Sequence, residues 1–145
     1  MREVLKDKLN NFSNALKKLD EALRENGYSL CLDGTIKRFD LTFEMSWKAL
    51  KKFLFHEGTE CTSARDCIKK AYQMEFIKAE GTWLNILDDR NTITHIYDEH
   101  EAERVYKRIK ETYFDEFKKL EKLLEEKLIL LGGSLNVADG ITKVS

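Results

Sequence analysis

The element that decides the fold reads, at positions 36–54, IKRFDLTFEMSWKALKKFL. Its bulky apolar side chains recur every three or four residues, which places them on one face of an α-helix. They are Ile36, Phe39, Phe43, Trp47, Leu50 and Leu54. A stripe of this bulk predicts a helix at the centre of a helical core, with a cap at Asp33-Gly34-Thr35 and an end at Gly58.

A second apolar stripe precedes this element, from Leu5 to Leu23, and predicts a helix over about residues 2–26, ended by Asn26-Gly27. The chain has no proline and only seven glycines in 145 residues, which favours helix throughout. We therefore predict an all-α protein, an antiparallel up-and-down bundle of about five helices over residues 1–131. Residues 132–145 are polar and aperiodic, and are expected to form a flexible C-terminal tail.

Three more helices complete the predicted bundle. Ser63, with Asp66 three residues later, has the spacing of a helix cap and opens a helix that ends near Phe76. A fourth helix is expected over about residues 80–97. A fifth starts at Asp98 and keeps its period for roughly 30 residues, or ~45 Å at 1.5 Å per residue. That length exceeds what one small bundle covers, so its end is expected to project or to meet a second chain.

Composition excludes several classes of protein. With 42% apolar and 35% charged residues, and no apolar run near the roughly 18 residues of a spanning helix, no membrane association is expected. The first residues, MREVLKD, lack the apolar core of a signal peptide, which predicts a cytoplasmic protein. A net charge of −1 means that any RNA contact must be local. Cys31, Cys61 and Cys67 are odd in number and lack zinc-site spacing, so we expect free thiols, with no disulfide, metal or cofactor.

Candidate chemistry is concentrated in positions 90–97, RNTITHIY, where Arg90, His95 and Tyr97 have the spacing R-x4-H-x-Y. This composition yields the spacing by chance at a rate of only ~0.005. On a continuous α-helix Asn91 and His95 share a face, Arg90 and Tyr97 nearly superimpose, and Arg90 and His95 diverge by ~140°. Two copies packed about a two-fold axis would bring Arg90 and His95 together, so the spacing predicts a composite site at a homodimer interface.

These side chains suit cleavage of RNA without a metal ion. A histidine, with a typical pKa near ~6.5, can take a proton from a 2′-hydroxyl or give one to the leaving 5′-oxygen. Arg90 can hold the phosphate, Asn91 can orient His95, and Tyr97 can contact phosphate or a base. The structural alternative makes Arg90 an ion-paired surface residue beside the two preceding aspartates. In that alternative His95 only faces a helix dipole, and Tyr97 only packs at a corner.

Other charged residues are weaker candidates. Five lysines on the second and third helices form a basic strip that is more typical of a solvated face than of an RNA site. Glu44 lies four residues before Lys48, so an ion pair within the helix is its first interpretation and a role in a site only its second. His56 and His100 lack partners at metal-ligand spacing. The five lysines are Lys48, Lys51, Lys52, Lys69 and Lys70.

Three blocks together resemble a known family. RFDLTFEMSWK at 38–48, Trp83-Leu84, and DRNTITHIYD at 89–98 resemble the nucleotidyltransferase substrate-binding protein family, which belongs to the HEPN superfamily and includes the HepT-like toxins. The resemblance covers about residues 5–125. It implies a HEPN-like helical bundle that homodimerises and is encoded beside a minimal nucleotidyltransferase.

The resemblance also implies two readings of the motif. In HepT-like members R-x4-H-x-Y carries ribonuclease activity, here matched by Arg90 and His95, and the cognate nucleotidyltransferase acts as antitoxin by adenylylating the motif tyrosine, here Tyr97. Older descriptions of the family make this subunit a non-catalytic substrate-binding partner, and both readings stand. Ser63-Ala64-Arg65 replaces a frequent Ser-Pro-Arg, which should affect only loop stiffness.

Overall fold

The computed structural model describes residues 1–25, 28–96 and 98–132, without the side chains of residues 28–31. These residues form helices and no strand, so the predicted all-α, up-and-down bundle is confirmed. In chain order the elements are α1 (Arg2–Leu23), α2 (Tyr28–His56), α3 (Ala64–Gln73), α4 (Glu80–Thr92), a 3₁₀ turn (Ile93–His95), α5 (Glu99–Arg108), a π-helical segment (Ile109–Tyr113) and α6 (Phe114–Gly132).

Phe117 on α6 joins four helices at the centre of the core. Its ring centroid lies 6.2 Å from that of Phe12 on α1, 6.2 Å from Phe39 on α2 and 5.5 Å from Trp83 on α4. All four side chains are fully buried. Tilted and edge-on ring pairs of this kind contribute about 0.5–1.5 kcal/mol each beyond the area they bury. The aromatic stripe of α2 is therefore a core face, as its spacing predicts.

The start of α2 differs from the prediction, because the helix begins at Tyr28 and runs through Asp33-Gly34-Thr35. Leu32 is buried, so the apolar stripe extends one turn further toward the N-terminus. Gly34 lies where an added Cβ would meet no atom within 4 Å. A glycine inside a helix costs only about 1 kcal/mol relative to alanine, so the packing of Leu32 overrides the apparent cap. The first helix ends at Leu23, slightly before the predicted Asn26-Gly27.

The fourth helix also ends earlier than predicted, at Thr92 instead of near residue 97. The next three residues form the 3₁₀ turn, and Ile96 is extended, with φ −88° and ψ 111°. Asp98 then caps α5 by accepting a hydrogen bond of 2.8 Å from the backbone N–H of Glu101. A run rich in β-branched residues before a strong N-cap residue favours this break. Tyr97 lies outside the described residues.

The predicted long fifth helix is confirmed in extent, since helical backbone continues from Glu99 to Gly132. It changes to π-helical geometry between Ile109 and Tyr113, which the sequence does not signal. Its last fully buried residue is Leu124, and Leu130 is 81% exposed. Residues 133–145, most of the predicted tail, lie outside the described residues. Within the described ranges no helix is both long and apolar enough to cross a membrane.

The prediction of three free thiols is wrong, because Cys61 and Cys67 form a disulfide. The chain reverses after α2 through Gly58, whose φ of +90° suits glycine, and brings the two Cα atoms within 5.0 Å. Both cysteines are buried. A cysteine count alone does not reveal which pair a loop apposes. The predicted cap of α3 is confirmed, since the Ser63 hydroxyl accepts a 3.1 Å hydrogen bond from the Asp66 N–H.

Candidate functional site

Arg90, at the end of α4, lies against α2. Its Nε donates to Asp40 Oδ1 at 2.8 Å and its Nη2 donates to Glu44 Oε1 at 2.7 Å. The guanidinium carbon also lies 5.7 Å from the ring centroid of Phe43. The side chain is 29% exposed, so water competes only partly for these contacts. Arg90 is thus ion-paired, as the structural alternative expects, but its carboxylates are on another helix and not in the preceding residues.

Of the two carboxylates that pair with Arg90, Glu44 has additional contacts with neighbouring side chains of α2. Burial raises its pKa, but hydrogen bonds from Lys48 and Trp47 and the positive charge of Arg90 outweigh that effect and lower the pKa below its ordinary value. The Lys48 Nζ lies 3.1 Å from Glu44, and the Trp47 indole N–H donates at 3.3 Å. Glu44 is therefore ionised at neutral pH and holds the Arg90 guanidinium against α2.

Asp89 anchors the end of α4 to α5 and to the π-helical segment instead of pairing with Arg90. It accepts hydrogen bonds from Arg108 Nε and Nη2 at 2.7 and 2.9 Å, and from the Tyr113 hydroxyl at 2.5 Å. Burial and the negative charge of Asp89 raise the pKa of Tyr113, while Asp89 raises that of Arg108. Tyr113 belongs to the π-helical segment, a geometry that often occurs at functional sites.

His95 faces α5, where it lines a cavity with residues of that helix. It lies in the 3₁₀ turn, is exposed, and makes no hydrogen bond or ion pair with any described residue. Together with Arg104 and Arg108 it lines a cavity of about 110 Å³ between the turn and α5. Arg90 thus contacts α2, whereas His95 lines a cavity with α5, and Arg90 is not among the residues that line that cavity.

The expected pairing of Asn91 with His95 is absent. Both residues are described and exposed, and no hydrogen bond joins them. The α-helix ends between them, and a 3₁₀ turn advances by ~120° per residue instead of ~100°, so the i,i+4 register is lost. The same break removes the basis for stacking Tyr97 over Arg90, and Tyr97 itself lies outside the described residues.

Other sites are less suited to chemistry. A cavity of about 580 Å³ between the α3–α4 connection and α6 includes Trp83, whose indole N–H is buried and has no partner in the described structure. A nitrogen that water does not reach is also out of reach of a ligand in that cavity. In the basic strip, Lys48 and Lys70 are held by Glu44 and Asp66. The described residues include no cluster of three or more His, Cys, Asp or Glu side chains placed to hold a metal ion.

Sequence reasoning missed the residues that position this site. Asp40 and Glu44 are in the block at 38–48, but the pairing with Arg90 spans 46 to 50 residues and depends on how α2 packs on α4. Arg108 and Tyr113 lie outside the three blocks, and Asp89 lies in the block at 89–98 without a partner that the sequence reveals. The one available signal was Glu44, an acidic residue beside the apolar stripe of α2, which the sequence ranks only as a weak candidate.

Known proteins share both sequence and fold with this chain. It is 28% identical over 95 residues to a probable ribonuclease HepT from Haemophilus influenzae, over 62% of this chain and 65% of that protein. The match thus spans just under two-thirds of the relative's length. A crystal structure of a protein from Thermus thermophilus superposes with a TM-score of 0.68 at 28% identity, over 81% of this chain and 98% of that chain. The family described as nucleotidyltransferase substrate binding protein like matches residues 7–126, and the chain belongs to that family.

Proposed function

We propose that this chain is the ribonuclease toxin of a toxin–antitoxin pair, a HEPN-type subunit that cuts RNA without a metal ion and is controlled by a minimal nucleotidyltransferase. The observation that carries the proposal is His95. It is exposed, has no partner among the described residues and faces two arginines, in the position that the motif gives to a catalytic histidine. An imidazole with these surroundings is available to exchange protons with a bound substrate.

The reaction is a transesterification. His95 takes the proton of an RNA 2′-hydroxyl, the 2′-oxygen forms a bond to phosphorus, and the bond to the 5′-oxygen breaks. A water molecule protonates the leaving 5′-oxygen and the hydroxide so formed takes up the proton held by His95, so the products are a 2′,3′-cyclic phosphate and a 5′-hydroxyl. Arg90 leaves Nη1 free of hydrogen bonds to the described residues, and this nitrogen binds a phosphate oxygen. Asn91 is exposed beside Arg90 and contacts the RNA strand.

The active form is a homodimer whose interface includes the end of α4. Arg90 and His95 contact different helices of one chain, so one chain does not place both on the same phosphate. A two-fold axis near the 3₁₀ turn places Arg90 of one copy beside His95 of the other. The site is therefore shared by two copies.

The partner that regulates the toxin is the minimal nucleotidyltransferase for which the family is named. Acting as antitoxin, it adenylylates Tyr97 and so blocks the site. The cytoplasm, where toxin, antitoxin and RNA meet, is the compartment in which the pair acts. The relative described as a probable ribonuclease supports this class of activity.

Cleavage of RNA by the purified chain tests the proposal. The parent should cut RNA in EDTA and release 2′,3′-cyclic phosphate ends. His95→Ala should lower the rate by about 10²- to 10⁴-fold, the usual cost of losing a general acid or base. His100→Ala is the matched control, because His100 is also exposed and lies five residues further on. Cleavage that stops with EDTA, or that survives His95→Ala, contradicts the proposal.

A second candidate function is a non-catalytic binding subunit of a two-component nucleotidyltransferase. It is favoured by Arg90, whose Nε and Nη2 are both occupied by carboxylates, as in a structural ion pair. This candidate predicts that the parent cuts no RNA under any condition but forms a stable complex with the nucleotidyltransferase. Cleavage and complex formation, measured on the same preparation, separate the two functions.

A further inference from the structure

Two arginines on α5 share a cavity with His95. Arg104 and Arg108 are four residues apart, so they lie one above the other on one face of the helix. The cavity between that face and the 3₁₀ turn has a volume of about 110 Å³. Liquid water occupies ~30 Å³ per molecule, so this space suits a group of phosphate size. It is well below the several hundred Å³ that sites for whole nucleosides or drug-sized ligands take.

The two arginines differ in what they already hold. Arg108 is committed through Nε and Nη2 to Asp89, at 2.7 and 2.9 Å. Arg104 is exposed and makes no ion pair with any described residue. Glu101 also lines the cavity, but no ion pair joins it to Arg104 or His95 in the described structure. Among the described residues, Arg104 is therefore a cation without an ion-pair partner, in the cavity that His95 also lines.

We infer that Arg104 binds an RNA phosphodiester, on the strand that His95 cleaves. This inference rests on the proposed ribonuclease function. Arg90 is held on the α2 side by Asp40 and Glu44, whereas Arg104 lies on the same side of the turn as His95. A guanidinium is always charged and holds two phosphate oxygens with its planar fork. Arg108, fixed by Asp89, keeps the α5 face of the cavity in place, and Arg104 supplies the free donors.

Binding of an RNA that cannot be cut tests this inference apart from catalysis. We would measure the affinity for a 2′-O-methylated RNA oligonucleotide by fluorescence anisotropy across a range of salt. Arg104→Gln should weaken binding about 10-fold, which is the scale of one charge-assisted hydrogen bond. It should also reduce the slope of log Kd against log salt by ~0.7, as expected for one lost phosphate contact to a single strand. Arg104→Lys keeps the charge and should retain part of the affinity.

Lys107→Gln is the matched control, because it removes one positive charge from the same helix at a residue that does not line the cavity. A loss of affinity as large in Lys107→Gln as in Arg104→Gln would mean that only net charge matters, and would overturn the inference. So would unchanged binding in Arg104→Gln, or no RNA binding by the parent. The proposed function fails separately, if the parent binds this oligonucleotide through Arg104 but cuts no natural RNA.

A second test follows the NMR signals of the His95 imidazole while phosphate is added. Titration with inorganic phosphate, followed by NMR, should move the His95 ring signals in the parent and leave them in place in Arg104→Gln. The His100 ring signals serve as the internal reference, since His100 does not line the cavity. Equal shifts of the His95 signals in parent and variant would mean that phosphate binds beside His95 without Arg104, and would overturn the inference.

Discussion

Arg90 Nη2 lies 2.7 Å from Glu44 Oε1, and this ion pair connects the R-x4-H-x-Y motif to the central helix. The two residues are 46 positions apart in sequence and both are about three-quarters buried. The conformation of the motif arginine is therefore set by α2, while that of the neighbouring Asp89 is set by Arg108 on α5 and Tyr113 in the π-helical segment. The end of α4 is held from two sides, which leaves the turn carrying His95 as the exposed part of the site.

Replacing Glu44 by Gln should destabilise the fold and impair the site together. The variant loses a hydrogen-bonded charge pair, so the free energy of unfolding should fall by about 1–3 kcal/mol at pH 7. Asp20→Asn, which removes the carboxylate of a more solvent-exposed pair with Arg24, should cost under about 1 kcal/mol. Urea unfolding of both variants measures the difference, and equal losses would contradict the assigned importance of the Arg90 pair.

The difference in free energy of unfolding between the parent and Glu44→Gln should depend on pH in a defined way. The folded pKa of Glu44 lies below its ordinary value of 4.5, so its ionised form is favoured by folding. Its contribution is fully present above that ordinary value and is lost as the pH falls through the folded pKa. The stability difference between the parent and Glu44→Gln should therefore be constant from pH 7 to about pH 5 and shrink on further acidification. A difference that grows below pH 4 would contradict this assignment.

Tyr113→Phe should remove a hydrogen bond to Asp89 and cost about 1 kcal/mol at pH 7. Because burial and Asp89 raise the pKa of Tyr113, folding favours the neutral phenol, and this contribution is lost as the pH rises above the ordinary value of 10.0. The parent should thus lose stability between about pH 10 and 11 faster than Tyr113→Phe. Tyr72→Phe, which changes an exposed tyrosine, is the control and should follow the parent.

The Cys61–Cys67 pair predicts one free thiol per oxidised chain instead of three. Thiol titration in denaturant without reductant should find only Cys31, and none in Cys31→Ala. Closing even this short loop stabilises a fold by about 2 kcal/mol, so reduction should lower the free energy of unfolding by that amount. A double variant, Cys61→Ala with Cys67→Ala, should be insensitive to reductant. Three thiols in the oxidised parent would rule the bond out.

Helices were predictable here because burial imposes a period that a single sequence records. Phe39, Phe43 and Leu50 are fully buried, and their spacing follows directly from the helical repeat. The corner after α4 was predictable in principle, since Asp98 is a strong N-cap residue and a β-branched run precedes it. A continuous α-helix over positions 90–97 is the wrong geometry for Asn91 and His95, because the chain changes to a 3₁₀ turn at Ile93.

The contacts that hold the site were not predictable from local pattern. Arg90 with Asp40 and Glu44, and Asp89 with Tyr113, join residues 24 to 50 positions apart. Such pairs depend on how each helix is rotated about its axis and on the angle at which packed helices cross. The spacing of hydrophobic residues along the sequence does not determine either. The position of a π-helical segment is similarly set by tertiary contacts. The sequence thus locates the motif, and the packing decides which neighbour each of its side chains meets.

Mixed dimers test whether the site is shared. If one copy supplies Arg90 and the other His95, then Arg90→Gln and His95→Ala chains should each be inactive alone, and mixing them after unfolding and refolding should restore cleavage. A mixed dimer retains one wild-type Arg90 and one wild-type His95, on different chains. Light scattering should show a dimer for every preparation. Mixtures as inactive as either variant would place both residues in one chain's site, and a monomeric, active parent would exclude the shared site.

If the chain is a toxin as proposed, adenylylation of Tyr97 by the proposed nucleotidyltransferase partner should neutralise it without unfolding it. The Tyr97 oxygen attacks the α-phosphorus of ATP, pyrophosphate leaves, and the phenolic proton passes to solvent. The product carries a phosphodiester anion and a bulky adenosine two residues after His95, so charge pairing with nearby arginines and steric filling both oppose RNA binding. Incubation with the partner, ATP and magnesium should add one or more AMP units to the intact mass, and Tyr97→Phe should add none. Tyr72→Phe is the control and should be modified like the parent. Modification of Tyr97→Phe to the same extent, or neutralisation by the partner without ATP, would mean that the partner acts by covering the site.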